Sequence, residues 1–361
     1  MRRFITGGKM RVGFMGYRSL ASSAALTAFL VVSSAAPAAG QAAPAAKSAT
    51  SGKSATSKKA WTPSRTPEGQ PDLQGVWTNN TVTPLERPKD LAGKEFYTDA
   101  ELAAGMKKEH ERLDLNVEEG LPTEPGTAAD VHYDFSEYGL DRAQTKIAWN
   151  HRTSIIVGPD GRIPPLTPEA RKRIADRRAK AKGHEFDGPE NRPLGARCLA
   201  RPNVGPPLLP SAYNSNLQIV QGAGYVVIEA EMIHDARVIP TDGRPHLAKN
   251  VKQWMGDSVG HWEGNTLVID TTNFTDLNPF EDAQNLHVVE RLTRVDAETI
   301  LYQFTVEDPG MWIKPWSGEL PITKMQGQLY EYACHEANYG LVNTLRGARV
   351  AEEEAAKKAT K

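Results

Sequence analysis

No aspartate or glutamate occurs before Glu68, although nine lysines and arginines lie among the first sixty residues. A segment with cations only, leading into an apolar run at 20–32 that is too short to cross a bilayer and then into small residues at 33–40, has the layout of a secretory signal. Cleavage is expected after Ala38 or Gly40. Arg2-Arg3-Phe4-Ile5 resembles a twin-arginine signal but stands too far ahead of the apolar run, so Sec-type export to the periplasm or beyond is expected. Met10 or Met15 would each give a shorter basic region. Residues 41–60 lack aromatic and branched aliphatic side chains. They cannot bury enough apolar surface to offset ordering, which predicts a disordered linker.

Other absences narrow the functional classes. Nothing after Val32 is long and apolar enough to span a membrane, and no cysteine follows the signal to accept a lipid, so no membrane insertion is expected once the signal is removed. Dinucleotide fingerprints and phosphate-cradling glycine loops are missing, and no organic cofactor is expected. No histidine spacing matches a known metal site, and no metal is expected. Gly256-Asp257-Ser258-Val259-Gly260 reads as Gly-x-Ser-x-Gly, but the strand, elbow and helix that such a nucleophile needs are not there. Residues 61–361 hold 34 basic and 44 acidic residues, a net charge of −10. That excess argues against nucleic acid and anionic membrane surfaces as partners. Oligomeric state is not legible.

Cysteine is scarce, with Cys198 and Cys334 the two in the chain. In an oxidising compartment a disulfide is the expected pairing. The alternative is that Cys334, beside His335 and Glu336, acts as a nucleophile or ligand.

What is present is organised as follows. Signal peptide (1–40) and linker (41–60) precede an irregular, partly helical wrapping segment (61–215). An antiparallel β-domain (216–349) packs with that segment as one unit, and a charged tail (350–361) closes the chain. Leu73-Gln74-Gly75-Val76-Trp77 predicts a short strand. Thr98-Asp99-Ala100-Glu101 is a capping box opening a helix with Leu102, Met106, His110 and Leu113 at helical spacing. Residues 121–134 read as loop and 147–157 as a strand. Thr167 caps a second helix, with Pro168 first and a basic body through Lys182. Residues 183–210 form a connector rich in proline and glycine.

From Asn216 onward, short β-branched and aromatic runs alternate with turns: 217–220 and 225–228 around Gly222-Ala223-Gly224, then 236–239, then 260–263 and 266–272 around Gly264-Asn265. Further runs at 287–295, 299–307, 320–324 and 328–333 complete an antiparallel meander. In 299–307, Ile300, Tyr302, Phe304 and Val306 share one face. In 287–295 both faces carry charge, as in a barrel wall with a partly polar lumen. The expectation is a mostly β fold: an antiparallel lipocalin-like barrel or curled sheet with an irregular N-terminal half carrying two helices.

Gly75-Val76-Trp77 ahead of a meander resembles the Gly-x-Trp entry strand of lipocalin-like barrels. The blocks 75–78 with 83–88, 160–168, 234–246, 253–274, 285–293 and 330–339 resemble a widespread family of exported bacterial proteins of unknown function. That resemblance implies export and supplies no mechanism.

Ionisable and aromatic residues crowd into four segments of the second half. His234, Asp235, Asp257 and His287 are the acid–base candidates, since a histidine held by a carboxylate can move protons near neutral pH. Arg237, Trp254, His261, Trp262, Glu290 and His335 are the candidate ligand contacts. Trp312 and Trp316 add to an aromatic load suited to a pocket or to core packing. Two functions follow as expectations: an exported protein binding a small, partly apolar ligand in the barrel, or a cofactor-independent lyase, isomerase or hydratase on the same scaffold.

Overall fold

The computed structural model describes residues 61–117, 150–211, 214–276, 278, 280, 283, 285–336 and 338–360. The expected signal peptide, linker and 121–134 loop lie outside the described residues, as do positions 147–149 of the expected early strand.

Nine strands form one antiparallel sheet. They are β1 (Gly75–Thr78), β2 (Asn216–Gly222), β3 (Tyr225–Ala230), β4 (Asp235–Pro240), β5 (Asp257–Glu263), β6 (Thr266–Thr272), β7 (His287–Arg294), β8 (Thr299–Glu307) and β9 (Trp316–Lys324). Their order is β4-β3-β2-β1-β9-β8-β7-β6-β5. The two end strands come back together: a Cβ on Gly260 of β5 would lie 3.0 Å from Ile239 Cγ2 of β4. The sheet is therefore a nearly closed, lipocalin-like barrel, with glycine at the point of closest approach across its seam.

The meander follows from tight turns and period-2 patterning. β2 and β3 pair up to Gly222↔Tyr225, and β5 and β6 up to Glu263↔Thr266. In β8, Ile300, Tyr302, Phe304 and Val306 are all buried, as the alternation requires. β1 enters between β2 and β9, and Trp77 is fully buried with its indole Nε1 donating to Leu73 O at 2.9 Å.

Helix α1 (Asp99–Val117) starts at the expected capping box, with Glu101 N donating to Thr98 Oγ1 and Thr98 N to Glu101 Oε2. Helix α2 (Pro168–Ala181) is capped by Thr167, which accepts from Ala170 N at 3.0 Å, and buries Ala170 and Ile174.

Three expectations change. Residues 328–333 form no strand, because β9 already has β1 on one side and β8 on the other. Residues 150–157 make only isolated bridges, although Ile155 and Ile156 are buried. Glu319 N donates to Ile155 O and Val157 N to Ser317 O, so this stretch covers the half of β9 that the short β1 does not reach. Pro321, lacking an N–H, falls between those two partners, where it interrupts neither. The segment read as a charged tail belongs to a third helix, α3 (Tyr339–Ala359), capped by Asn338; its alanine, glutamate, lysine and arginine content favours helix over coil.

Residues 59–361 form one compact unit. Among the described residues no helix is long and apolar enough to cross a membrane.

Candidate functional site

Inside the barrel the inward side chains pack into one apolar cluster that also takes in Leu208 and Leu209 of the connector. Residues 203–209 are all buried. At the heart of this packing sits a charged group. Arg237 donates from both terminal nitrogens to Glu290, Nη1 to Oε2 at 2.6 Å and Nη2 to Oε1 at 3.0 Å. Tyr302 donates its hydroxyl to Glu290 Oε1 at 2.7 Å and accepts from Leu208 N at 2.8 Å. Burial opposes the Arg237 charge, but Glu290 beside it outweighs that and raises its pKa. Burial, reinforced by the Glu290 charge, raises the Tyr302 hydroxyl well above its ordinary value, so it remains a donor.

Arg237 and Glu290, expected to contact a ligand, are thus spent on each other. The polar character read into the β7 face is real, and it serves to anchor the connector. The aromatic load divides similarly. Trp312 and Trp316 pack edge-to-face with each other at 5.7 Å and with Phe280 at 5.7 and 5.8 Å. Trp262 packs against the same cluster, while Trp254 is half-buried in the β4–β5 loop.

On the outer face of β5, β6 and β7 the structure brings two of the four acid–base candidates together. His246, from the β4–β5 loop, places Nδ1 2.9 Å from Asp257 Oδ2 and Nε2 2.9 Å from Asp270 Oδ1. Asp270 Oδ2 in turn lies 2.8 Å from His287 Nε2. Asp257 also accepts from Leu247 N at 2.8 Å. The result is a continuous chain, Asp257–His246–Asp270–His287. His287 differs from His246, because its Nδ1 is 3.9 Å from Glu307 Oε2, too far for a hydrogen bond. Side-chain exposure is 13 % at Asp257 and 34 % at His287, so the chain runs from a buried carboxylate to a half-exposed imidazole.

The other two acid–base candidates stand apart. His234 lies in the turn before β4 with φ +48°, and its Nδ1 is 2.9 Å from Tyr332 O. Asp235 begins β4. Burial raises its pKa and the neighbouring His234 partly offsets this, but no hydrogen bond joins the two. His261 reaches Glu263 at 3.1 Å, and Glu263 takes Arg291 Nη2 at 2.7 Å on the outer wall. Arg291 first, then His261, lower the Glu263 carboxyl. His335 is exposed in the tail beside the disulfide. Among the described residues no group of three or more histidine, cysteine or acidic side chains is placed to hold a metal ion.

The disulfide is present: Cys198 and Cys334 are bonded, 136 residues apart. It ties the connector to the tail, and Asn338 adds a bond from Nδ2 to Ala196 O at 2.9 Å. Around this junction lie open clefts outside the barrel wall. One of about 540 Å³ is bordered by Cys198, Cys334, Arg201 and Tyr332. Another of about 450 Å³ lies between α2 and the connector, bordered by Arg192, Leu194, Arg197 and Arg201. A third, of about 310 Å³, is lined by Glu229, Glu231, His234 and Tyr330.

His246, Asp270, Tyr302, Arg197 and Arg201 were not singled out from sequence. Asp270 and Tyr302 could have been found, since each lies on a strand whose alternation is legible and its face follows from that. His246 and the arginines sit in irregular chain, where nothing short of the fold brings them to their neighbours. No protein-family profile, curated protein or solved structure matches the chain.

Proposed function

We propose that this is an exported protein that binds a small, partly apolar molecule, and that the ligand sits outside the barrel wall. The observation carrying this reading is the layer built by the connector and the tail. It is stapled by Cys198–Cys334 and holds clefts of about 450 and 540 Å³, within the size range of small-molecule sites. The acid-free basic leader and the disulfide support export. So does the resemblance to exported bacterial proteins.

The test is a thermal-shift screen of the mature, oxidised protein against neutral, anionic and cationic metabolites. A specific ligand present at a hundred times its Kd should add roughly 2.7 kcal/mol of stability. A diverse collection that produces no shift sinks the reading. Recovery of the chain uncleaved from the cytoplasm would remove the export part of it.

A second reading, acid–base catalysis, is favoured by one observation: the Asp257–His246–Asp270–His287 chain ends in a half-exposed imidazole whose Nδ1 makes no hydrogen bond among the described residues. Asp270 would orient His287, and His246 with Asp257 would hold Asp270. Turnover of a screened ligand that is lost in His287→Gln, with fold and ligand-induced stabilisation intact, would establish it. Turnover unchanged in that variant would remove it.

A further inference from the structure

Resting on the small-molecule-binding reading above, we propose that the cleft between α2 and the connector is a site for a small organic oxyanion: a carboxylate, or a sulfate or phosphate ester, with an apolar body. Its electrostatics invert those of the chain around it. Residues 61–361 carry a net charge of −10. Yet five arginines border this cleft, and Glu190 is the single acid among its described lining residues. Arg177 and Arg178, on the α2 side, are already engaged with other groups. The cations that matter are those of the connector.

Arg197 and Arg201 form no ion pair among the described residues, and Arg201 Nε is buried without a hydrogen-bond partner. Arg192 is held by a backbone carbonyl and a ring: Nη1 donates to Glu185 O at 2.9 Å and the guanidinium lies 4.5 Å over the Phe186 ring, with the Glu185 carboxylate also within its field. Arg197 and Arg201, close together and without an ion pair among the described residues, repel one another, and a bound anion relieves that repulsion. A planar fork of donors also suits the paired oxygens of a carboxylate or phosphate. The remaining wall is mainly apolar, with Leu194, Pro193 and Pro202 facing the same space beside Asn191 and Asn278. Such a wall adds little for a bare inorganic ion and favours a ligand with a carbon body.

Calorimetric titration of the oxidised mature protein in phosphate-free buffer tests this, with benzoate, phenyl phosphate, inorganic sulfate and benzylamine as probes. Benzoate and phenyl phosphate should bind more tightly than sulfate, with affinity falling as salt rises, and benzylamine should not bind. Arg197→Gln should weaken benzoate by about tenfold or more, the range for losing a charge-assisted hydrogen bond. Arg201→Lys, which keeps the charge and loses the fork, should weaken it less. Glu190→Gln should tighten it. Melting temperatures of the variants check that each is folded. Equal benzoate affinity in wild type, Arg197→Gln and Arg201→Lys overturns the proposal, as does benzylamine binding as tightly as benzoate. If no anion binds while the wider screen yields a neutral or cationic ligand, the anion assignment falls and the binding reading stands. Silence across the whole screen removes both.

Discussion

Replacing Glu290 by Gln should cost far more than its one-atom change suggests. The Arg237 and Glu290 side chains are 3 % and 0 % exposed, so water cannot compensate a guanidinium that loses its partner. Gln keeps an acceptor for Tyr302 and for one arginine nitrogen, so the penalty is mainly the stranded charge, about 3–5 kcal/mol. Tyr302→Phe spares the ion pair but removes the acceptor of Leu208 N and a donor to the carboxylate, for about 2–3 kcal/mol. Replacing both charges, as in Arg237→Met with Glu290→Leu, should recover most of the loss, since apolar substitutes for a buried pair are often neutral or stabilising. Arg237 Nε already lacks a partner, which leaves less to lose. Urea unfolding of the oxidised protein, followed by the fluorescence of its seven tryptophans, reads all three variants. Refutation would be Glu290→Gln lying within about 1 kcal/mol of wild type, or the double replacement being less stable than the worse single one; either would mean the pair is not sealed from solvent.

Breaking Cys198–Cys334 by serine substitution frees a loop of 136 residues and should lower stability by up to about 5 kcal/mol on chain-entropy grounds, measured by the same urea midpoints. Gly318→Ala should destabilise by about 1–3 kcal/mol, because the new methyl would collide with the Phe304 ring, itself buried against Trp316; a silent variant would contradict the packing of β8 on β9. Glu231 is buried, and that burial raises its pKa despite the bond from Asn216 Nδ2. The native state therefore binds its proton more tightly than the unfolded chain does, and stability falls as pH rises from the ordinary glutamate value of 4.5 toward the raised one. Glu231→Gln should abolish that fall and be relatively more stable at neutral than at acid pH; parallel stability–pH curves for the two proteins would refute it.

The strands were legible where a single local rule decides them. β8 matches its expected bounds because alternation and flanking turns agree, and the β2–β3 and β5–β6 hairpins fall at their expected turns, with β2, β3 and β5 each two or three residues longer than expected. α2 was legible because Thr167-Pro168 is a start signal independent of what the helix packs on. Residues 150–157 and 328–333 have β-like composition, yet whether they form strands depends on which edges of β9 are free, a property of the assembled sheet. The site suffered more. His287 opens an expected strand and Asp257 lies just ahead of one that proves to begin at Asp257, and what joins them is His246, delivered by a loop. The expected His234–Asp235 pairing failed for a local reason. Ile233 and His234 both take positive φ, at +66° and +48°, and this turn directs the imidazole to Tyr332 rather than to its neighbour.

The connector explains why a barrel of this kind would bind outside its wall. Residues 203–209 are buried, and their backbone is held by Tyr302 at Leu208 N and by Asn79 at Leu208 O. The residues just before them, 192–201, border the basic cleft and include Cys198. One stretch of chain therefore fills the interior at one end and shapes the surface site at the other, and the disulfide fixes the point between. A ligand gripped by Arg197 and Arg201 holds the segment whose next turn is packed into the barrel. Occupancy of the cleft and seating of Leu208 then stabilise the same folded arrangement, and each should strengthen the other by linkage. On this argument the charged group inside the barrel has a use beyond filling space: through Tyr302 it positions the connector, and the connector positions the arginines.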